Sequence, residues 1–325
     1  MITSKPSPAE SPICHLGVVH HAGAPLVVCA ERWGGVLVWS PADGEWTTPR
    51  LAFAHREDPA FAEYPDAHNE LDKVAALSAD GRLLLAAGGD EQEPAVWNVD
   101  SGELVAHTPS CGAYTTDIVA LDDRFVTAQQ YSEEVRLWSP DGTDTLLDEV
   151  GSLFCLASAQ IGDRTLLLTG GSGVTVWDAA TLTELGNFYP AEDERVWAVA
   201  ACSLGRTTAI IGLTEECMLH AWSLDADDPD EALLYDPVEL NGADDLMVVI
   251  HVDGRPLVVN PTESSLHLLD AADGTTVGHV PTPGHSVTAM KAATVDGRPV
   301  LVTGGDDGIL RIWDETDLTQ ALHQD

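Results

Sequence analysis

Residues 284–314 read GHSVTAMKAATVDGRPVLVTGGDDGILRIWD. An apolar alternation (Val287, Ala289, Met290) runs into the turn Asp296-Gly297-Arg298. A continuous apolar run, Val300–Val302, follows, then the loop 304–308 and a second alternating strand, Leu310, Ile312, Trp313. Asp-Gly between apolar runs is a tight hairpin signal, and the period of two throughout predicts strands with no helix between them. The unit is a short antiparallel meander.

Six other segments share its ending: GVLVWSPADGE, EPAVWNVDSGE, EVRLWSPDGT, GVTVWDAATLTE, MLHAWSLDADD and SLHLLDAADGT. Their Trp slots are Trp39, Trp97, Trp138, Trp177, Trp222, Leu269 (in the sixth copy) and Trp313, with spacings of 58, 41, 39, 45, 47 and 44 residues. Each is preceded by a turn and an apolar run, as in ADGRLLLAAGG, LDDRFVTAQ, IGDRTLLLTGG, SLGRTTAIIG and VDGRPLVVN; HHAGAPLVVCA does the same in the first copy without the Arg. Seven such units occupy nearly all of the 325 residues. One sheet of this kind cannot bury both faces, but copies packed face to face around an axis can. Six of the nine tryptophans fill this slot, which is why Trp outnumbers Tyr and Phe, at five each.

The pattern resembles the WD-repeat β-propellers, seven-bladed, from about residue 13 onward. The implied fold is all-β, a seven-bladed β-propeller of four-stranded antiparallel blades. Residues 13–325 would form one propeller, and residues 1–12 a segment either disordered or supplying a closing strand. Met1–Lys5 and Thr319–His323 are the two stretches able to provide the last outer strand. In residues 284–314 the family's structural tetrad maps onto His285, Thr303, Asp307 and Trp313. The other copies lack Gly-His ahead of their first strand, and Trp-Asp itself stands only at 177–178 and 313–314.

Composition narrows function. Fifty-three Asp and Glu against fifteen Lys and Arg give a net charge of −38. Such a surface repels phosphate backbones and anionic lipid, so neither nucleic acid nor membrane is an expected partner; a protein or basic peptide is, with a small molecule as the other option. MITSKPSPAESPI has no apolar core of a secretion signal, and six cysteines without a Cys-x-x-Cys fit a reducing, cytoplasmic setting. Three Lys against twelve Arg fits a GC-rich, bacterial-type coding bias.

The resemblance also assigns loops to two rims. On one, Arg82, Arg124, Arg164, Arg206, Arg255 and Arg298 stand beside Asp43, Asp100, Asp141, Asp225 and Asp273, a pattern of local ion pairs. The other, the top, carries the irregular loops and hence the candidate site. Trp33 and Trp197, with Tyr114 and Tyr131, would form an aromatic rim beside the cations Arg32, Lys73 and Arg195. Aromatic and Arg clusters are typical binding hot spots. The long first spacing places an insertion around 55–70, with His55 and His68, over the same rim. No catalytic, phosphate-binding or metal-ligand motif occurs, so no cofactor and no metal are expected. The expected function is a non-catalytic scaffold binding a protein or peptide through the top face. The alternative is an enzyme or small-molecule binder at the channel mouth.

Overall fold

The computed structural model describes residues 1–32, 35–52, 71–89, 92–108, 115–129, 134–147, 151–190, 194–228, 231–243 and 245–322. These form seven four-stranded antiparallel sheets, the blades of a β-propeller. Strand β1 (Ile2–Thr3) precedes the first sheet, which contains β2 (Ile13–His21), β3 (Ala24–Glu31), β4 (Gly35–Ser40) and β5 (Glu45–Thr47). The second contains β6 (Lys73–Ala79), β7 (Arg82–Gly89), β8 (Gln92–Asn98) and β9 (Leu104–His107). The third contains β10 (Thr115–Leu121), β11 (Arg124–Gln129), β12 (Glu134–Trp138) and β13 (Asp144–Leu147). The fourth contains β14 (Cys155–Ile161), β15 (Arg164–Gly170), β16 (Val174–Asp178) and β17 (Thr183–Phe188). The fifth contains β18 (Val196–Leu204), β19 (Thr207–Thr214), β20 (Met218–Ser223) and β21 (Val238–Glu239). The sixth contains β22 (Val248–Val252), β23 (Arg255–Pro261), β24 (Ser265–Asp270) and β25 (Thr276–Pro281). The seventh pairs β26 (Val287–Val295), β27 (Arg298–Gly305) and β28 (Leu310–Asp314) in chain order, and β1 adds its outer strand.

Of the two stretches able to supply that strand, the N-terminal one does so. Residues Glu315–Ala321 form a helix, α1, instead. Asp314 caps it through the Asp317 amide, and the Asp317 carboxylate accepts from the Asp314 amide in return. This reciprocal cap takes up two otherwise orphaned donors. The N-terminal ammonium lies 2.7 Å from the Asp317 carboxylate.

Turn chemistry sets the hairpins. The first two strands of each sheet are joined by two-residue turns, and Asp80-Gly81, Asp253-Gly254 and Asp296-Gly297 have both φ angles positive, between 51° and 74°. That is the mirror-image turn whose twist matches paired strands, and Asp-Gly is its preferred sequence. After the Trp strand, Asn98, Asp178 and Asp270 accept from amides two residues on and close the second turn.

The chain divides into two compact groups of sheets. One comprises Thr3–Glu149 and Gly304–Leu310; the other comprises Met1–Ile2, Val150–Thr303 and Arg311–Asp325. Within the first, Val28, Val36 and Val38 pack on Val74, Leu83 and Leu85 of the next sheet. Within the second, Leu166, Leu168, Val174 and Val176 face Val199, Ile210 and Trp222. Burial of these alternating faces supplies the main stabilisation, about 1.5–3 kcal/mol for each large apolar side chain.

The tryptophan slot is governed by one further position, two residues beyond the indole's cross-strand partner on the second strand. It is Thr127 in the third sheet and Thr169 in the fourth. There the indole donates to the threonine hydroxyl, Trp138 to Thr127 at 3.0 Å and Trp177 to Thr169 at 3.3 Å. Trp313 donates to Thr303 at 3.0 Å in the same way. Where Cys29 or Ala87 fills the position, the bond changes. The Trp39 indole N–H is buried with no hydrogen-bond partner among the described residues, and Trp97 donates to the Ala52 carbonyl at 2.6 Å. His285 is buried near the start of β26, and its Nε2 has no hydrogen-bond partner among the described residues.

Candidate functional site

Of the residues singled out from sequence, Trp33, Tyr114, Tyr131, His55 and His68 lie outside the described residues. The others fall into separate groups of sheets. Arg32 and Lys73 stand near Cys14 in the first group. The Cys14 thiol, which donates to the Ala30 carbonyl at 3.3 Å, is pushed up to about 11. Burial is the largest cause, then Asp72; Lys73 and Arg32 pull the other way. A thiol held in its protonated form is a poor nucleophile, so these two cations do not mark a reactive cysteine.

Arg195 and Trp197 come together in the second group, where the fourth and fifth sheets meet. The Arg195 guanidinium carbon lies over the Phe154 ring, 5.5 Å from its centroid. Phe154 in turn stacks on Trp197, with centroids 6.0 Å apart and planes 11° from parallel. Phe154 and Trp197 are half-buried and Arg195 is exposed. Tyr189, just past β17 in the fourth sheet, is also exposed. Guanidinium over an aromatic face is worth about 0.5–1 kcal/mol at an exposed site, so this triad holds its own shape before anything binds.

A β-bulge aims Trp197. In the β18–β19 ladder Val196 pairs with Thr214 and Ala198 with Leu213, so Trp197 is the extra residue with no opposite number. Two backbone anchors fix the bend: the Val196 amide donates to the Gly171 carbonyl at 2.8 Å, and the Glu215 amide donates to the Arg195 carbonyl at 2.9 Å. Bulges re-aim side chains in this way beside functional sites. The corresponding first strands of the first and third sheets carry the same irregularity at Cys14 and Thr116. The sequence shows a bulge at none of the three. Phe154 was missed as well; its signal is an aromatic one residue ahead of the apolar run of β14.

Glu194, the residue before Arg195, belongs to a histidine–carboxylate pair. His220 Nε2 lies 3.6 Å from a Glu194 carboxylate oxygen. The imidazole is buried and stacks on Trp222 at 5.3 Å between centroids and 12° between planes. Removal from water lowers the imidazole's proton affinity, and the Glu194 charge opposes that only in part. The fold therefore favours the neutral ring, which packs on Trp222.

The arginine-lined rim also differs from expectation in its partners. Arg164 bonds Asp178 at 2.9 Å, and Arg255 forks onto Asp270 with its Nε at 2.7 Å. Arg124 meets Asp123 at 3.1 Å. The acceptors are thus the residues after the Trp slot or in the hairpin turn. Asp225 instead accepts from the Thr208 amide, and Asp43 from the Glu45 amide. A carboxylate that closes its own turn is drawn down in pKa, first by the turn amide at Asp43 and Asp141 and first by the Thr275 hydroxyl at Asp273, where the Arg255 charge adds a smaller part.

Among the described residues no three His, Cys, Asp or Glu side chains converge as a metal site, and no helix is long and apolar enough to cross a membrane. Comparison of the chain with protein-family models and with curated proteins gives no match.

Proposed function

We propose that the chain is a non-catalytic WD-repeat scaffold that binds a protein or basic peptide at the Arg195–Phe154–Trp197 triad. The observation that carries this reading is the bulge that turns Trp197 out of its ladder and onto Phe154, which leaves two half-buried aromatic faces at a solvent-facing edge. Rigid aromatics beside an arginine are the composition of binding hot spots, because they offer contact area with little side-chain entropy to lose. The net charge of −38 supports a cationic partner, recruited faster at low ionic strength. The Trp-Asp pairs at 177–178 and 313–314 support the WD-repeat assignment, and the cysteine usage supports a cytoplasmic setting.

The test is a fluorescence-polarisation screen of arginine- and lysine-rich peptides against the full chain, repeated with Trp197→Ala and Phe154→Ala. Both variants should melt within a few degrees of the parent and bind at least tenfold more weakly. Identical peptide profiles in all three proteins would remove the triad as the docking point.

A further inference from the structure

We propose that His267 and His279 form a two-imidazole site for a divalent transition-metal ion on the sixth sheet. His267 on β24 and His279 on β25 are direct cross-strand partners. Residues opposed in an antiparallel ladder project from the same face, with Cβ atoms about 4.5–5.5 Å apart. The ladder is regular here, running Ser265↔Pro281, Leu266↔Val280, His267↔His279 and Leu268↔Gly278; its register shift comes only after Leu268. Two imidazoles held at that separation can turn their nitrogens to within the roughly 3–4 Å that a shared ion with ~2.0–2.1 Å metal–nitrogen bonds requires.

Nothing among the described residues competes for these rings. Neither histidine has a hydrogen-bond or ion-pair partner there. The polar neighbour on the same face is Asn260, which pairs with His267 across the β23–β24 ladder. Its amide nitrogen is already committed to the Ala243 carbonyl at 2.7 Å and the Leu246 carbonyl at 3.0 Å. His267 is half-buried and His279 exposed, so the pair is open to solvent on one side.

His267 is held below the usual histidine pKa, first by burial and then by the like charge of His279. One ion can take a lone pair from each of the two rings at once. The chain's negative charge raises the local concentration of cations. Imidazole nitrogen selects Zn²⁺, Ni²⁺ or Cu²⁺ over Mg²⁺ or Ca²⁺, which take oxygen. With no third protein ligand among the described residues, water or a donor from another molecule would complete the coordination. A bound ion would also clip the sheet's outer strand, β25, to β24.

The test uses the chelator-treated full chain. Equilibrium dialysis against ZnCl₂ at pH 7.5 should give one equivalent bound, with CaCl₂ unable to displace it. With one equivalent of Cu²⁺, electron paramagnetic resonance should show hyperfine coupling to two nitrogens. His279→Ala changes an exposed side chain and should fold as the parent does; it should bind Zn²⁺ at least tenfold more weakly and show a one-nitrogen pattern. His267→Ala should give the same result. Unchanged affinity and spectra in His279→Ala would overturn the site. So would weak uptake of many ions, equal for Ca²⁺ and Zn²⁺, since that is the behaviour of an acidic surface.

Discussion

The fourth and fifth sheets place a tryptophan at the same point of the same ladder and satisfy it differently. In the fourth, Trp177 donates to Thr169, and the two strands are pinned by a buried polar bond. In the fifth, the threonine position is Gly212, opposite His220, and the Trp222 indole stacks with both the His220 and Phe188 rings. Glycine is what makes room: a Cβ there would come within 3.0 Å of the Trp222 ring and 3.3 Å of Val174. One sheet fixes its indole by hydrogen bonding and the other by stacking. Six of the seven copies therefore keep a shape, a large flat ring between strands, and leave the chemistry that holds the ring to local invention.

Exchange of the two solutions is the sharpest test. Gly212→Thr gives the fifth sheet the fourth sheet's residue, but its Cβ would already press on the Trp222 ring and on Val174. Overpacking should destabilise the chain by about 2–3 kcal/mol, read as a lower urea midpoint at unchanged m. A neutral or stabilising result would mean that Trp222 swings to use the new hydroxyl, and the stacking would then be incidental. A smaller effect is expected from Thr169→Val, which keeps the volume and removes the acceptor. The Trp177 indole N–H would be left buried without its partner, a loss of about 1–2 kcal/mol. The same substitution at Thr127 should match it, because Trp138 makes the equivalent bond at 3.0 Å.

Much of this architecture was legible in the residues because it depends on local order. Period-two runs, Asp-Gly turns and the Trp slot repeat along the chain, so seven sheets could be counted without coordinates. The seventh sheet's closing strand was not legible. Met1–Lys5 and Thr319–His323 are both short and polar, and the outcome turned on Asp314 and Asp317 capping each other to start a helix. The candidate site was half legible. Arg195 and Trp197 announce themselves as odd residues ahead of an apolar strand, but Phe154 lies more than forty positions away and meets them only because neighbouring sheets pack face to face. The bulge at Trp197 leaves no trace in composition, since it arises from how the loop ends are tied. Arginine partners were misassigned for a similar reason: the aspartates nearest in pattern, such as Asp225, were already engaged with backbone amides.

The smallest expected effect distinguishes the stacked solution from the hydrogen-bonded one by pH. His220 has its proton affinity lowered in the fold, first by burial, and the Glu194 charge offsets part of that. The unfolded chain has an ordinary histidine, near pH 6.5. Between the two values the unfolded state holds a proton that the native state does not, so stability is complete above about pH 6.5 and declines as pH falls from there toward the lower folded value. One proton sets the ceiling at about 1.4 kcal/mol per pH unit. His267 contributes a slope of the same sign, so the comparison must be between the parent and His220→Gln, which keeps His267 unchanged. Urea midpoints at pH 7.5, 6.5 and 5.5 should converge for the two proteins as the medium is acidified, because only the parent loses the benefit of a neutral ring on Trp222. A constant gap across the three pH values would show that Glu194 fully compensates for burial. A gap that widened on acidification would instead mean that the folded ring gains proton affinity, and the pair would then act as a salt bridge.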